Sequence, residues 1–169
     1  MNFSEFAESR KSVRGFLDKP LPKVVIEEII SGAKWAPSSY NTQTWHIHAV
    51  SGDALEKIRK GNVDETMAGK PHVRDFAYKE DYEGEHRQKQ IDVAIQLFES
   101  MGIKRDDKEK RTDWMLRGFR QFDAPVSLVL TYDKYLEPAG ITHFGLGALA
   151  YGIILSAWER GVGLSLIHI

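Results

Sequence analysis

The stretch from Ile141 to Glu159 holds no charged residue before its last position, yet it is dense in small ones: Gly145, Gly147, Ala148, Ala150, Gly152, Ser156 and Ala157. A helix that is apolar all round cannot sit on a solvated surface, so it must be central or interfacial. Its glycines lower helix propensity, and that cost is offset only if another backbone packs closely against them. The run therefore demands a close helical partner within the chain, a second copy of itself, or both.

Other elements follow from the same kind of pattern. Residues Phe3 to Arg10 suit a short helix capped by Asn2 or Ser4, with Phe3 and Phe6 turned inward. Pro22 suits a first helical position, and Val25, Ile26, Ile29, Ile30 and Ala33 repeat at helical spacing up to Trp35, before Pro37 stops the helix. Trp45 to Val50 is β-prone, and Ser51-Gly52-Asp53 turns into a short helix through Ile58, with Gly61 to Lys70 read as loop. A long amphipathic helix is expected from Tyr78 to Met101 with Ile91, Ala94, Ile95 and Phe98 as its stripe, then a helix carrying Trp114, Met115, Leu116 and Phe119. Val126 to Tyr132 reads as a buried strand, and Leu164 to Ile169 as the beginning of another. The 169 residues fit one domain.

Composition removes several classes of function. With 23 basic and 24 acidic residues the net charge is -1, so no global field attracts nucleic acid or an anionic membrane, and any anion site must be local. The absence of Cys removes disulfides, thiolate metal sites and a Cys nucleophile. The N-terminal residues lack a basic stretch followed by an apolar one, and the expected setting is cytoplasmic, without membrane or nucleic-acid partners. His46 and His48 share one face of the expected strand, but no third ligand stands at matching spacing, so no metal is expected. Glu80, Asp81, Glu83 and Glu85 read as a solvated face, and Gly145-Leu146-Gly147 as helix packing rather than a dinucleotide fingerprint.

Two segments carry chemistry. Ser9-Arg10-Lys11-Ser12-Val13-Arg14 concentrates three cations and a hydroxyl at the end of a short helix, suited to charge-assisted hydrogen bonds with a phosphate. Alone, such a cluster reads first as complementing the helix dipole and staying solvated, and only the second segment reverses that reading. Ala36-Pro37-Ser38-Ser39-Tyr40-Asn41-Thr42-Gln43-Thr44-Trp45 places uncharged hydrogen-bonding side chains between two tryptophans, Trp35 and Trp45, expected to hold the loop against apolar structure, although Asn41 could make only an Asx-turn. Together they suggest a phosphorylated, planar, polar-edged ligand.

The pair resembles the opening of the FMN-dependent nitroreductase family, which typically reads R-R-S-x-R-x-F, then a helix, then A-P-S-x-x-N-x-Q-P-W. Phe122-Asp123-Ala124-Pro125 with its strand, and Leu146 to Trp158 followed by Arg160-Gly161-Val162-Gly163-Leu164, resemble later elements of the same family. Thr44 departs from the usual Pro, and Tyr151-Gly152 from a frequent Gln-Asn. The resemblance implies an α+β fold, a small mostly antiparallel sheet flanked by helices, assembled as a homodimer with FMN at the interface. It implies that Arg10, Lys11, Ser12 and Arg14 bind the phosphate and ribityl end, and that Pro37, Ser38, Ser39, Asn41 and Gln43 border the ring, commonly from the second subunit. Tyr40 is a candidate to stack on the acceptor. It further implies NADH or NADPH as donor and a nitroaromatic, quinone or similar acceptor in a ping-pong cycle, with no side chain as nucleophile. A related dehalogenase or dehydrogenase, or a non-catalytic flavin-binding or dimerisation protein, would use the same bed. Family members continue through further elements where this chain ends at Ile169, so residues 1–169 are expected to be one FMN-binding domain without its C-terminal elements.

Overall fold

A computed structural model describes residues 2–71, 82–137 and 139–167. Its centre is the pairing of two helices. Helix α2 (Lys23–Ala33) and helix α6 (Gly140–Glu159) bury Ile29, Ala33, Leu149, Ile153 and Ala157 between them, with Val25, Trp45, Ile47, Leu128 and Leu130 packed around this nucleus. The small residues of α6 meet small residues of α2. A Cβ on Gly152 would lie 3.5 Å from the Ala33 backbone, and one on Gly32 would lie 2.3 Å from Ser156 Oγ. The close partner that the composition of α6 demands is therefore α2. By length and composition alone α6 could cross a membrane, but here Leu149, Ile153 and Ala157 are buried against α2.

Strands β1 (Trp45–Ser51) and β2 (Val126–Tyr132) pair antiparallel, from Trp45 opposite Tyr132 to Ser51 opposite Val126. Among the described residues they form a two-stranded sheet. β2 is half-buried along its length rather than fully buried as its apolar run suggests. Helix α1 (Phe3–Ser9) opens with a reciprocal cap in which Asn2 Oδ1 accepts from Glu5 N and Glu5 Oε2 accepts from Asn2 N, both at 3.0 Å. Phe6 is half-buried, but Phe3 is 70% exposed, contrary to its expected inward position, because no element among the described residues covers that side of so short a helix. Pro22 precedes the first turn of α2 as its N-cap residue.

Helix α3 (Gly52–Met67) runs well past Ile58, so Gly61 to Met67 is helix, not loop. Polar anchors explain the extension. The buried Arg59 donates from Nε to the Arg120 carbonyl at 3.0 Å and from Nη2 to the Ala124 carbonyl, and Asn62 Nδ2 donates to the Phe119 carbonyl at 3.1 Å. These bonds tie α3 to the C-terminal end of helix α5 (Lys108–Phe119) and to the turn that follows it. Helix α4 (Gly84–Ser100) starts later than the expected Tyr78, and residues 72–81, including Glu80 and Asp81, lie outside the described residues. Its stripe stays partly open: Ile91 and Ile95 are exposed, while Ala94 and Phe98 are half-buried. The expected C-terminal strand is reduced to a parallel bridge between Leu164 and Ser12, with His168 and Ile169 outside the described residues.

Candidate active site

Helix α1 delivers the cationic segment to the last turn of α6. Trp158 Nε1 donates to Ser9 Oγ at 2.9 Å, and Ser9 Oγ donates to the Phe6 carbonyl at 2.8 Å, which locks the C-terminus of α1. The chain then runs beside residues 162–165, with Val13 N donating to the Leu164 carbonyl at 3.1 Å. Gly163 makes this approach possible, since a Cβ there would lie 2.7 Å from Val13 Cγ2.

Along this segment Arg10 is half-buried and Lys11, Ser12 and Arg14 are exposed. Among the described residues none of the three cations pairs with a carboxylate, although Arg160 nearby is paired to Glu28 and Glu159. Arg14 lies 6.0 Å from the centroid of the Phe122 ring. The Arg10 Nε is buried and has no hydrogen-bond partner, and the same holds for Ser165 Oγ, a residue that sequence reasoning did not select. A buried guanidinium N–H left without an acceptor is costly.

The polar loop sits elsewhere. A 3-10 turn at Ser39–Asn41 folds back on itself: Asn41 N donates to the Ser38 carbonyl at 3.0 Å, Gln43 N to Ser38 Oγ at 2.9 Å and Gln43 Nε2 to Asn41 Oδ1 at 3.1 Å. Tyr40, Asn41 and Gln43 have φ of 50°, 56° and 47°, left-handed values that non-glycine residues adopt at a cost. Tyr40 is 99% exposed, and Pro37, Ser39, Asn41 and Gln43 are exposed while Ser38 is half-buried. Trp45 holds one end of the loop against the core, but Trp35 does not hold the other: it is 82% exposed, with the Lys34 ammonium over its ring at 5.5 Å. The loop is instead seated on α6, where a Cβ on Gly145 would lie 4.0 Å from Ser38 Cβ and 3.6 Å from Trp45 Cζ3.

Within one chain the two segments are thus kept apart. Ser9 touches Trp158 while Ser38 approaches Gly145, and 13 residues of helix separate those contacts, roughly 20 Å at 1.5 Å per residue. Arg10, Lys11, Ser12 and Arg14 lie together at one end of α6, and Ser38, Ser39, Tyr40, Asn41 and Gln43 at the other.

A cavity of about 420 Å³ opens beside the loop, walled by Ser38, Gln43 and His46 on one side and Asp133, Tyr135 and Thr142 on the other. His46 Nε2 lies 3.3 Å from Asp133 Oδ1, and His48 Nε2 lies 3.0 Å from Thr131 Oγ1. Among the described residues no three side chains are grouped to hold a metal ion.

Comparison with known proteins gives a consistent result. The sequence model of the Nitroreductase family matches residues 7–169. A nitrobenzene nitroreductase of Ectopseudomonas oleovorans and a chloronitrobenzene nitroreductase of Comamonas testosteroni are each 34% identical over 161 residues, covering 94% of this chain and 70% of the relative. The fold is similar to a crystal structure of the FMN and NADPH-dependent nitroreductase from sphigopyxis sp. strain HMH, with a TM-score of 0.88 at 26% identity over 95% of this chain and 72% of that one.

Proposed function

The chain belongs to the nitroreductase family, and from that premise we propose that it is an FMN-dependent oxidoreductase, a single domain working as a cytoplasmic homodimer that passes electrons from NADPH or NADH to nitroaromatic, quinone or similar electron-poor acceptors. FMN, when bound, supplies the two-electron chemistry that links donor to acceptor in a ping-pong cycle. Everything else is the work of this chain's residues.

The observation that carries the reading is the buried Nε of Arg10, which has no partner among the described residues, set among Lys11, Ser12 and Arg14 with no carboxylate of the described residues paired to the three cations. That donor set fits a phosphate monoester. The Arg10 fork and the Ser12 hydroxyl would hold its oxygens, while Lys11 and Arg14 balance its charge. Ser38, Ser39, Asn41 and Gln43, with Pro37 beside them, would border the ring, and their amide and hydroxyl groups would orient its polar edge. The roughly 20 Å between the two segments along α6 favours a site in which one chain supplies the cations and a second copy supplies the loop. Tyr40, exposed on that loop, would stack on the acceptor and exclude water from it.

Arg10→Ala tests the reading. Removing a charge-assisted contact to a desolvated phosphate should weaken FMN binding by roughly 1.5–3 kcal/mol, about ten- to a hundredfold in Kd. Titration of the apoprotein by flavin fluorescence quenching measures it, and an unchanged Kd would refute the phosphate assignment.

A further inference from the structure

The cavity beside the polar loop carries a charge pattern of its own. Its volume, about 420 Å³, falls within the range of small-molecule sites, and its walls combine apolar surface from Leu136 and Ile141 with the hydroxyls of Ser38 and Thr142. Among the described residues one carboxylate, that of Asp133, lines it, and no Lys or Arg does. Asp133 stands just after β2, and His46 at the start of β1 hydrogen-bonds one edge of its carboxylate. The remaining edge is open, for the side chain is 58% exposed. The carboxylate does not cap the turn that follows: the short 3-10 turn Lys134–Leu136 is closed by the Asp133 carbonyl accepting from Leu136 N at 2.8 Å, with no bond from the side chain to the cap.

We propose that this cavity is the acceptor site and that Asp133 is its specificity-determining residue, selecting neutral or cationic aromatic acceptors over anionic ones. The inference rests on the reading that the loop at Ser38 to Gln43 borders the flavin ring, because that loop forms one wall of the cavity. A flat ring entering here lies against Leu136 and Ile141, within reach of the Ser38, Gln43 and Thr142 side chains. A carboxylate carried by that ring meets the Asp133 carboxylate, with the His46 imidazole at the other edge of Asp133 and no Lys or Arg among the described lining residues. At a half-solvated rim, two unit charges about 8 Å apart give a discrimination of about fivefold, and added salt screens it.

The test pairs binding with turnover. Benzamide and benzoate, alike in shape but differing in charge and not reducible by flavin, are titrated by NMR into the oxidised FMN-loaded protein, as wild type, Asp133→Asn and Asp133→Lys. The expected affinity ratio favours benzamide about fivefold in wild type, approaches one in Asp133→Asn and in about 0.5 M salt, and inverts in Asp133→Lys. The kcat/KM ratio for nitrobenzene over 4-nitrobenzoate should shift in the same order. A binding ratio that is the same in all three proteins, or insensitive to salt, overturns the assignment, as does failure of both ligands to bind. An active enzyme whose acceptor ratio ignores residue 133 overturns the selector and leaves the flavin reading intact. A protein that neither retains FMN nor oxidises NADPH overturns the flavin reading and the acceptor assignment that rests on it.

Discussion

Gly163→Ala tests how closely the cation-bearing segment is tied to the rest of the chain. A Cβ at residue 163 would stand 2.7 Å from Val13 Cγ2, 3.0 Å from Val13 Cβ and 3.1 Å from Val13 Cγ1. Carbon atoms pack comfortably at about 3.5–4.0 Å, so relief of roughly 0.5–1 Å is needed. Rotation about χ1 cannot supply it, because valine is stiff at χ1 and the Cβ contact does not move with rotation. The backbone of residues 12–14 must shift, against the bond from Val13 N to the Leu164 carbonyl. Overpacking of this kind costs about 1–3 kcal/mol, and the loss of unfolded-state freedom on replacing Gly returns about 0.4–1 kcal/mol. A net destabilisation of about 1–2 kcal/mol is expected, with weaker FMN binding as Arg10, Ser12 and Arg14 are displaced together. Val13→Ala removes the two Cγ contacts, so the double variant should recover about 1 kcal/mol relative to the sum of the single changes. Gly61→Ala serves as control: no atom lies within 4 Å of its added Cβ in α3, so it should gain about 0.5–1 kcal/mol from helix propensity. Urea midpoints at constant m-value measure all four proteins. Equal stability of Gly163→Ala and wild type, or no coupling to Val13, would refute the reasoning.

Three further outcomes are expected. Leu149, with no accessible surface at the α2–α6 contact, should cost about 3–5 kcal/mol when changed to Ala, measured by chemical denaturation; a loss under about 1 kcal/mol would mean that this contact is not the core. Tyr40 has a left-handed backbone and packs against nothing, so Tyr40→Val should destabilise by about 1–2 kcal/mol while Tyr40→Gly does not; equal effects would remove strain from the account of this loop. Asp107 caps α5 by accepting from Lys110 N at 3.1 Å, and that bond, helped by the Lys110 ammonium, lowers its pKa from the ordinary carboxylate value. Its ionised form therefore adds stability that is present above the unfolded-state pKa and lost as pH falls through the lowered folded-state value. The Tm difference between wild type and Asp107→Ala should be larger at about pH 6 than at about pH 2, and a pH-independent difference would contradict the cap.

The parts of the fold written in local pattern were legible in the sequence. Apolar spacing located α2, and the small residues of α6 announced a close helical contact, although not that Gly32 and Ala33 would be its other side. What failed were judgements that depend on distant partners. The second half of α3 looks like loop because its stabilising groups, Arg59 and Asn62, act on carbonyls about 60 residues away. Phe3 reads as inward and Trp35 as a clamp on the loop, yet whether an apolar side chain is covered depends on which elements arrive beside it. The site divides along the same line. Both binding segments are visible as motifs, but their placement at opposite ends of α6 is not, since it follows from the Trp158–Ser9 bond and the Gly145–Ser38 approach. His46 and Asp133 are 87 positions apart and meet only because β1 and β2 pair antiparallel, so no sequence signal joins them. Ser165 Oγ emerged only from burial without a partner.

Whether this chain holds FMN and passes to it the electrons of a nicotinamide donor is read from its visible spectrum: protein prepared with FMN, freed of excess flavin and made anaerobic, is recorded before and after addition of NADPH and then NADH. A retained flavin spectrum that bleaches with either donor is the predicted result. Protein that retains no flavin, or flavin that stays oxidised with both donors, would contradict it.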